Sequence, residues 1–318
     1  MSVRLSLFPT SRAISEPLQI GRTGAIDQLL AWALAGTSVL LLEERRIGKS
    51  SVALAVLDRI RDAGDGTLAL HADLRDGVGD SVALVRKLLD QAATQDAGTR
   101  ITALAARNKL ASSVNEKVRR QIRLAGKLLG VDDEITTILD LGEALTPGRT
   151  TSLSRALDAL DAHGRITGNR VVVFIDEIQD LLEWGDTTQT QSEIRAAARR
   201  RDGTLAFIFA GSDPTALELF EPRAKLDFVG ERYELPAIPL EAWQEGLQTR
   251  FRQAGYDISP EQIAQIYLAT DGHPQLTMSV CAHTIQWADS VKATVITPAI
   301  VRRAITAARR HPSRVRVK

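Results

Sequence analysis

Gly48, Lys49 and Ser50 place a residue without a side chain, an ammonium and a hydroxyl in succession. These are the groups a loop needs to close around phosphate oxygens. Lys49 would neutralise the β- and γ-phosphates of a nucleoside triphosphate, and the Ser50 hydroxyl would bind Mg2+. Gly48 would let the backbone approach without a side chain in the way. The full pattern G-x-x-x-x-G-K-[ST] asks for another glycine where this chain has Glu43. Arg45 and Arg46 follow it and could balance its charge.

A second set of residues fits the first. Asp176 and Glu177, the former 127 residues beyond Lys49, end the apolar run VVVFI. Adjacent residues at a strand end point in different directions. One carboxylate can therefore hold the hydration shell of Mg2+ while the next polarises an attacking water. Taken alone, the acidic pair is equally well explained by a buried strand that stops at a polar turn, and the loop residues could be only a strand, a turn and a helix. Together, at compatible spacing, they point to nucleotide binding.

Such groups need a scaffold. SVLLL (38–42) reads as a buried strand, and apolar positions from Lys49 to Asp62 have helical spacing. Further strands are expected at 67–74, from 171, at 204–212 and at 231–238, with helices at 24–35, 81–95 and near 189–200. This alternation implies βαβ units and a parallel sheet, an α/β fold. Residues 100–165 are helix-rich and strand-poor. From Leu240 the pattern is helical only, at 240–254, 260–270, 274–289 and 298–310, with breaks at Pro274 and Pro298. The expected division is a nucleotide-binding domain at 1–239 with a helical insertion at about 98–165, a helical lid at 240–310 and a basic tail at 311–318.

Composition narrows the alternatives. The 318 residues are 44% hydrophobic and 25% charged, as in ordinary globular proteins. Cys281 is the one cysteine, so no intramolecular disulfide forms, and a reducing cytoplasmic setting is expected. No apolar run reaches the roughly 18 residues of a membrane span, and the N-terminus lacks the core of a secretory signal. The five histidines are scattered, without metal-ligand spacing. Net charge is +1, but residues 290–318 hold eight Lys or Arg and no acid, leaving −7 on the rest. The tail residues Arg302, Arg303, Arg309, Arg310, Arg314, Arg316 and Lys318 could meet nucleic acid or an acidic partner, as could a stripe of Lys117, Arg120, Arg123 and Lys127. A solvated helix face explains that stripe more simply. No aromatic residues interleave with these basic runs, so base stacking is not expected.

In this order the motifs resemble those of AAA+/STAND-like P-loop ATPases, in particular archaeal-type ATPases related to the origin-recognition branch. The resemblance covers about residues 18–289. It implies a P-loop NTPase sheet followed by a small all-helical lid, with ATP and Mg2+ as ligands. Arg45-Arg46-Ile47-Gly48-Lys49-Ser50 is similar to the family's loop, and with Ser51 makes up the candidate phosphate-binding set. Asp176 and Glu177 match its Walker B pair, and Ser212 its γ-phosphate sensor. By the same resemblance Ile20, Gly21 and Arg22 lie over the adenine, and Pro274 of Gly272-His273-Pro274 packs near it. Arg223 and Arg232 are the candidates for an arginine that reaches a γ-phosphate, with Arg232 the better fit. The catalytic set implied is Glu177, Asp176, Lys49, Arg232 and Arg223, with Ser50 and Asp176 on the metal.

The expected function is a Mg2+-dependent ATPase that assembles as a homo-oligomer or with a protein partner and acts as a switch. The alternatives are a nucleotide-gated scaffold with little hydrolysis and a DNA-associated ATPase similar to loaders and transposition regulators. No winged-helix segment is recognisable after the lid.

Overall fold

The computed structural model describes residues 5–10, 13–95, 152–212, 214–227 and 229–310. The Lys117–Lys127 stripe, most of the expected insertion and the tail at 311–318 lie outside them. The chain forms two compact units. One takes the described residues of Gln28–Glu43 and Val56–Glu234, the other those of Met1–Asp27, Glu44–Ala55 and Leu235–Lys318.

The elements run α1 (Thr23–Ala35), β1 (Val39–Leu42), α2 (Lys49–Ala63), β2 (Leu68–Asp73), α3 (Ser81–Gln95), α4 (Leu153–Thr167), β3 (Val171–Asp176), α5 (Thr187–Ala198), β4 (Leu205–Gly211), α6 (Pro214–Glu218) and β5 (Glu231–Arg232). Four more helices follow: α7 (Leu240–Gln253), α8 (Pro260–Thr270), α9 (Pro274–Ser290) and α10 (Pro298–Arg310).

The first unit holds a five-stranded sheet in the order β2-β3-β4-β1-β5, with every pairing parallel. Strands β1, β3 and β4 are buried along their whole length. That is why they read as continuous apolar runs: a parallel sheet has helices on both faces and no polar side. Successive residues still alternate. Leu40, Leu70, Val173, Ile175, Phe207 and Phe209 join one core with α3, α4 and α5, while Leu41, Val172, Phe174 and Ile208 are buried on the other face. At the edge, β5 has two residues instead of the eight expected at 231–238. Its pairing with β1 covers Glu231 and Arg232, and Tyr233 N–H still reaches the Leu40 carbonyl (3.0 Å).

Parallel order brings the C-terminal ends of the strands to one edge. Leu42 of β1 registers with Gly211 of β4, and Leu74 N–H bonds the Asp176 carbonyl (3.1 Å) just past β2. In open α/β sheets this edge is where ligands bind.

The second unit is helical, with Trp243, Leu247, Phe251, Ile263, Ile266 and Val301 in its core. Phe8 packs on Phe251 with ring centroids 5.0 Å apart. Buried Arg250 donates to the carbonyls of Leu7 (3.1 Å) and Leu18, fastening the N-terminal segment to α7. Pro260, Pro274 and Pro298 each open a helix, where a missing N–H costs nothing.

Candidate functional site

The candidate residues fall into both units, and each set is built locally. In the helical unit, residues 44–48 lead into α2, which starts at Lys49. Two residues of the loop are left-handed, Arg46 (φ 70°) and Gly48 (φ 102°). Glycine takes this conformation freely, whereas arginine pays about 1 kcal/mol for it.

Glu43, just before this stretch, has no positive φ. Its N–H bonds the Gly211 carbonyl (3.3 Å), so it prolongs the β1–β4 ladder within the sheet unit. The turn therefore needs no glycine at that position.

The loop's polar groups are tied down from several directions. Lys49 is buried, and its Nζ donates to the Glu44 carbonyl at 2.5 Å. Arg22, also buried, donates from Nη2 to the Ile47 carbonyl (2.9 Å) and from Nη1 to the Pro236 carbonyl (2.5 Å). Arg46 reaches Gln275 Oε1 (3.3 Å), whose Nε2 donates to the Thr10 carbonyl (3.1 Å). The Ser51 hydroxyl accepts the Ile14 N–H (3.1 Å), and Gln19 Nε2 donates to the Ser51 carbonyl (2.8 Å). Ser50 is half-buried at the helix start.

Ile20 packs in the helical core, and a Cβ on Gly21 would come within 2.9 Å of Ile238. Pro274 opens α9 behind its N-cap His273, whose Nδ1 accepts the Leu276 N–H (3.4 Å). Burial holds His273 below the ordinary histidine value, against the backbone of Arg45 and the Glu44 carboxylate, which pull it up.

These residues fit a phosphate group. A Cβ on Gly48 would meet nothing within 4 Å, so the space before it is open. The N–H groups of Gly48 and Ser50 make no hydrogen bond to another described residue. Unpaired N–H groups at a helix start favour an anion.

In the sheet unit, Asp176 closes β3, is buried, and accepts the Glu177 N–H on Oδ1 (3.0 Å). Glu177 is left-handed (φ 53°) and begins a short 3-10 turn, Ile178–Glu183. A non-glycine residue in this region stores strain of order 1 kcal/mol, a frequent feature of functional sites. Three side chains hold its carboxylate. Arg75 Nη1 donates to Oε1 (2.9 Å), while Gln179 Nε2 (2.5 Å) and the Ser212 hydroxyl (3.2 Å) donate to Oε2. Arg75 also pairs with Asp180 (3.5 Å). Ser212 follows β4 directly, so Asp176, Glu177 and Ser212 share the C-terminal edge with Glu43.

The two arginine candidates lie elsewhere in this unit. Arg232 is exposed on β5, 3.6 Å from Glu234, and Arg223 is exposed in a left-handed turn (φ 80°) with its N–H on Asp227 (3.2 Å). Neither is bonded to Asp176, Glu177 or Ser212. Arg75 and Gln179, which do hold Glu177, were missed from the sequence. Their positions just after β2 and two residues past Glu177 were the available signal.

Among the described residues no group of three or more His, Cys, Asp or Glu could hold a metal, and no helix is long and apolar enough to cross a membrane. Ser50 and Asp176, each in its own unit, offer oxygen donors of the type that hard cations take.

No family model matches the sequence, and no curated protein does. Solved structures do. A Walker-type ATPase of Pyrococcus abyssi is similar at 17% identity and TM-score 0.63, over 96% of this chain and 75% of that one. The ORC2 protein of Aeropyrum pernix, solved as ADPNP–ADP complexes, is similar at 15% identity and TM-score 0.58, over 95% and 71%. The ORC1 protein of Aeropyrum pernix, solved in complex with DNA, gives 15% and 0.54, over 96% and 69%. What such distant likenesses establish is the architecture, and this chain has the fold of the P-loop ATPases: a parallel five-stranded sheet flanked by helices, with a helical C-terminal part.

Proposed function

We propose that this chain binds ATP with Mg2+ and hydrolyses it, working as an assembling molecular switch. The observation that carries the reading is the opening of α2: left-handed Gly48 before open space, two unpaired N–H groups and buried Lys49. Bound Mg2+ would supply positive charge to the β- and γ-phosphates, with Ser50 and Asp176 as its protein donors. Lys49 would leave the Glu44 carbonyl for phosphate oxygens. Glu177 would take the proton of the attacking water, and Ser212, already on its carboxylate, would orient it. Ile20, Gly21 and Pro274 are proposed for the adenine end, and Arg45, Arg46, Ile47 and Ser51 complete the loop. Exposed Arg232 or Arg223 would act on the γ-phosphate in an assembly of like subunits or with a protein partner. The proposed domains are a nucleotide-binding part at 1–239 and a lid at 240–310, in a cytoplasmic protein.

Two observations support further readings. Arg75 on the Glu177 carboxylate favours a slow enzyme or a nucleotide-gated scaffold. Exposed Arg302, Arg303 and Arg309 on α10, with a structural neighbour solved on DNA, favour a DNA-associated ATPase. The deciding experiment is calorimetry of ATP with Mg2+ on the wild type and Lys49→Ala. Binding is expected, weaker by roughly tenfold or more in the variant, since a charge-assisted bond is lost. A wild type that binds no ATP overturns the reading.

A further inference from the structure

We infer that Arg22 is a positioning residue that sets the direction of the Gly48 N–H and so tunes the loop for phosphate. The inference rests on the phosphate-loop reading above and gives Arg22 a different task from contact with the base. Its guanidinium is buried and forks between two backbone carbonyls, Ile47 at 2.9 Å and Pro236 at 2.5 Å. A planar fork of fixed donors can hold two acceptors in one geometry, which a flexible ammonium cannot.

The Ile47 carbonyl belongs to the peptide unit that also carries the Gly48 N–H. In a planar trans peptide these two groups point in opposite directions. Drawing the carbonyl toward Arg22 therefore turns the N–H away from it. That N–H bonds no described residue, and a Cβ at Gly48 would meet nothing within 4 Å.

The restraint matters because of glycine's freedom. Gly48 sits at φ 102°, and turning the 47–48 peptide over would bring φ to the negative side, which glycine occupies about as readily. The residue that permits the turn thus also permits a second orientation, with a carbonyl oxygen facing the anion. Arg22 selects the first. The same guanidinium holds the carbonyl of Pro236, four residues ahead of α7, so movement of that segment would be felt at the loop.

The test separates phosphate from base. Tripolyphosphate, adenosine and ATP are each used to displace a fluorescent ATP analogue from the wild type, Arg22→Lys and Arg22→Ala, with thermal unfolding measured alongside. Tripolyphosphate affinity is expected to fall about tenfold or more in Arg22→Ala and by a smaller factor in Arg22→Lys, since a charged hydrogen bond is lost. Adenosine affinity should stay within twofold. A merely structural role would weaken both ligands together. Where Arg22→Ala fails to fold, Arg22→Lys decides, because it keeps the charge and one of the two bonds. Tripolyphosphate binding equal in the wild type and the folded variants overturns the inference and leaves the ATPase reading standing. So does a loss confined to adenosine, which would return Arg22 to the base. A wild type that binds neither ATP nor tripolyphosphate removes both.

Discussion

Two carboxylates at opposite ends of strand β4 are held by similar groups and differ in what they can do. At the N-terminal end, Asp161 of α4 accepts the Thr204 N–H (2.6 Å) and Arg200 Nη1 (2.8 Å), together with Arg165. At the C-terminal end, Glu177 accepts from Ser212, Gln179 and Arg75. Thr204 and Ser212 flank the same strand. The Asp161 side chain is 0% exposed, and that of Glu177 is 22% exposed. Burial pushes the Asp161 carboxyl up, but its bonds to Thr204 and Arg200 outweigh this and hold it below the usual carboxylate range. Asp161 is a closed network that fixes α4 against the start of β4. Glu177 stands on strained backbone, within reach of water, and its partners can let it go. Burial separates the closed Asp161 from the carboxylate proposed for chemistry where partner type does not.

The most severe way to break this comparison is Asp161→Ala, which takes the acceptor from the Thr204 N–H and hydroxyl and one partner from each of two partly exposed arginines. A loss of about 2–4 kcal/mol is expected in urea unfolding, for hydrogen bonds to a buried carboxylate whose arginine partners stay partly solvated. Asp161→Asn should lose less, because it keeps an acceptor for Thr204. A loss under 1 kcal/mol would mean the network is ornamental. Next is Glu177→Gln, expected to slow ATP turnover by about two to three orders of magnitude while stability changes by less than about 1 kcal/mol. Unchanged turnover with lower stability would make Glu177 a second Asp161.

A third test uses pH. His71 of β2 stacks on Phe174 with centroids 4.8 Å apart, and its pKa is lowered to about 4. Burial is the main cause, Lys87 and Arg61 add to it, and Asp73 opposes it. Between its unfolded value near 6.5 and 4 the unfolded chain binds the extra proton, so stability is full above pH 6.5 and is lost as pH falls through this window. The loss should be up to about 2–3 kcal/mol and should vanish in His71→Phe. The contribution of Asp161 has the same sign but fades only at more acidic pH, so the two windows are separable. A flat wild-type profile from pH 6.5 to 4.5 would contradict the burial argument.

The smallest effect is expected from Arg75→Ala. Its side chain is 49% exposed, so the pair contributes under about 1 kcal/mol to stability. Without Arg75 the Glu177 carboxylate has one partner fewer to give up, and on the proposed mechanism turnover should rise about threefold with ATP affinity unchanged. A fall in turnover would show that Arg75 assists the reaction.

Much of this arrangement was legible in the residues. The strands β1, β3 and β4 announce themselves because burial on both faces demands uninterrupted apolar runs. The helices announce themselves through their spacing and their opening prolines. Edge strand β5 is shorter than its residues suggest because Tyr233 and Leu235 mimic an alternating strand, while the strand pairing with β1 takes in Glu231 and Arg232 alone. Gly48, Lys49 and Ser50 were legible as a motif. Glu43 departs from the loop pattern in the sequence; that the left-handed turns fall on Arg46 and Gly48 instead is not written in residue types. The grips of Arg22 on Ile47 and Pro236 were invisible for another reason: a backbone carbonyl is the same in every residue, so a bond to one leaves no trace in the sequence.

Strand order also has a consequence in time. The sheet neighbours of β1 are β4 and β5, and β4 begins at Leu205, about 160 residues after β1 ends at Leu42. At about 5–20 residues per second, synthesis takes on the order of ten seconds or more to supply β4. Until then Val39–Leu42 has neither of its ladder partners, and an apolar strand without partners invites pairing with other chains. The strand that leads into the candidate loop is thus among the first made and the last secured. A chain released before residue 205 would carry the motif without the strand that joins β1 to β3.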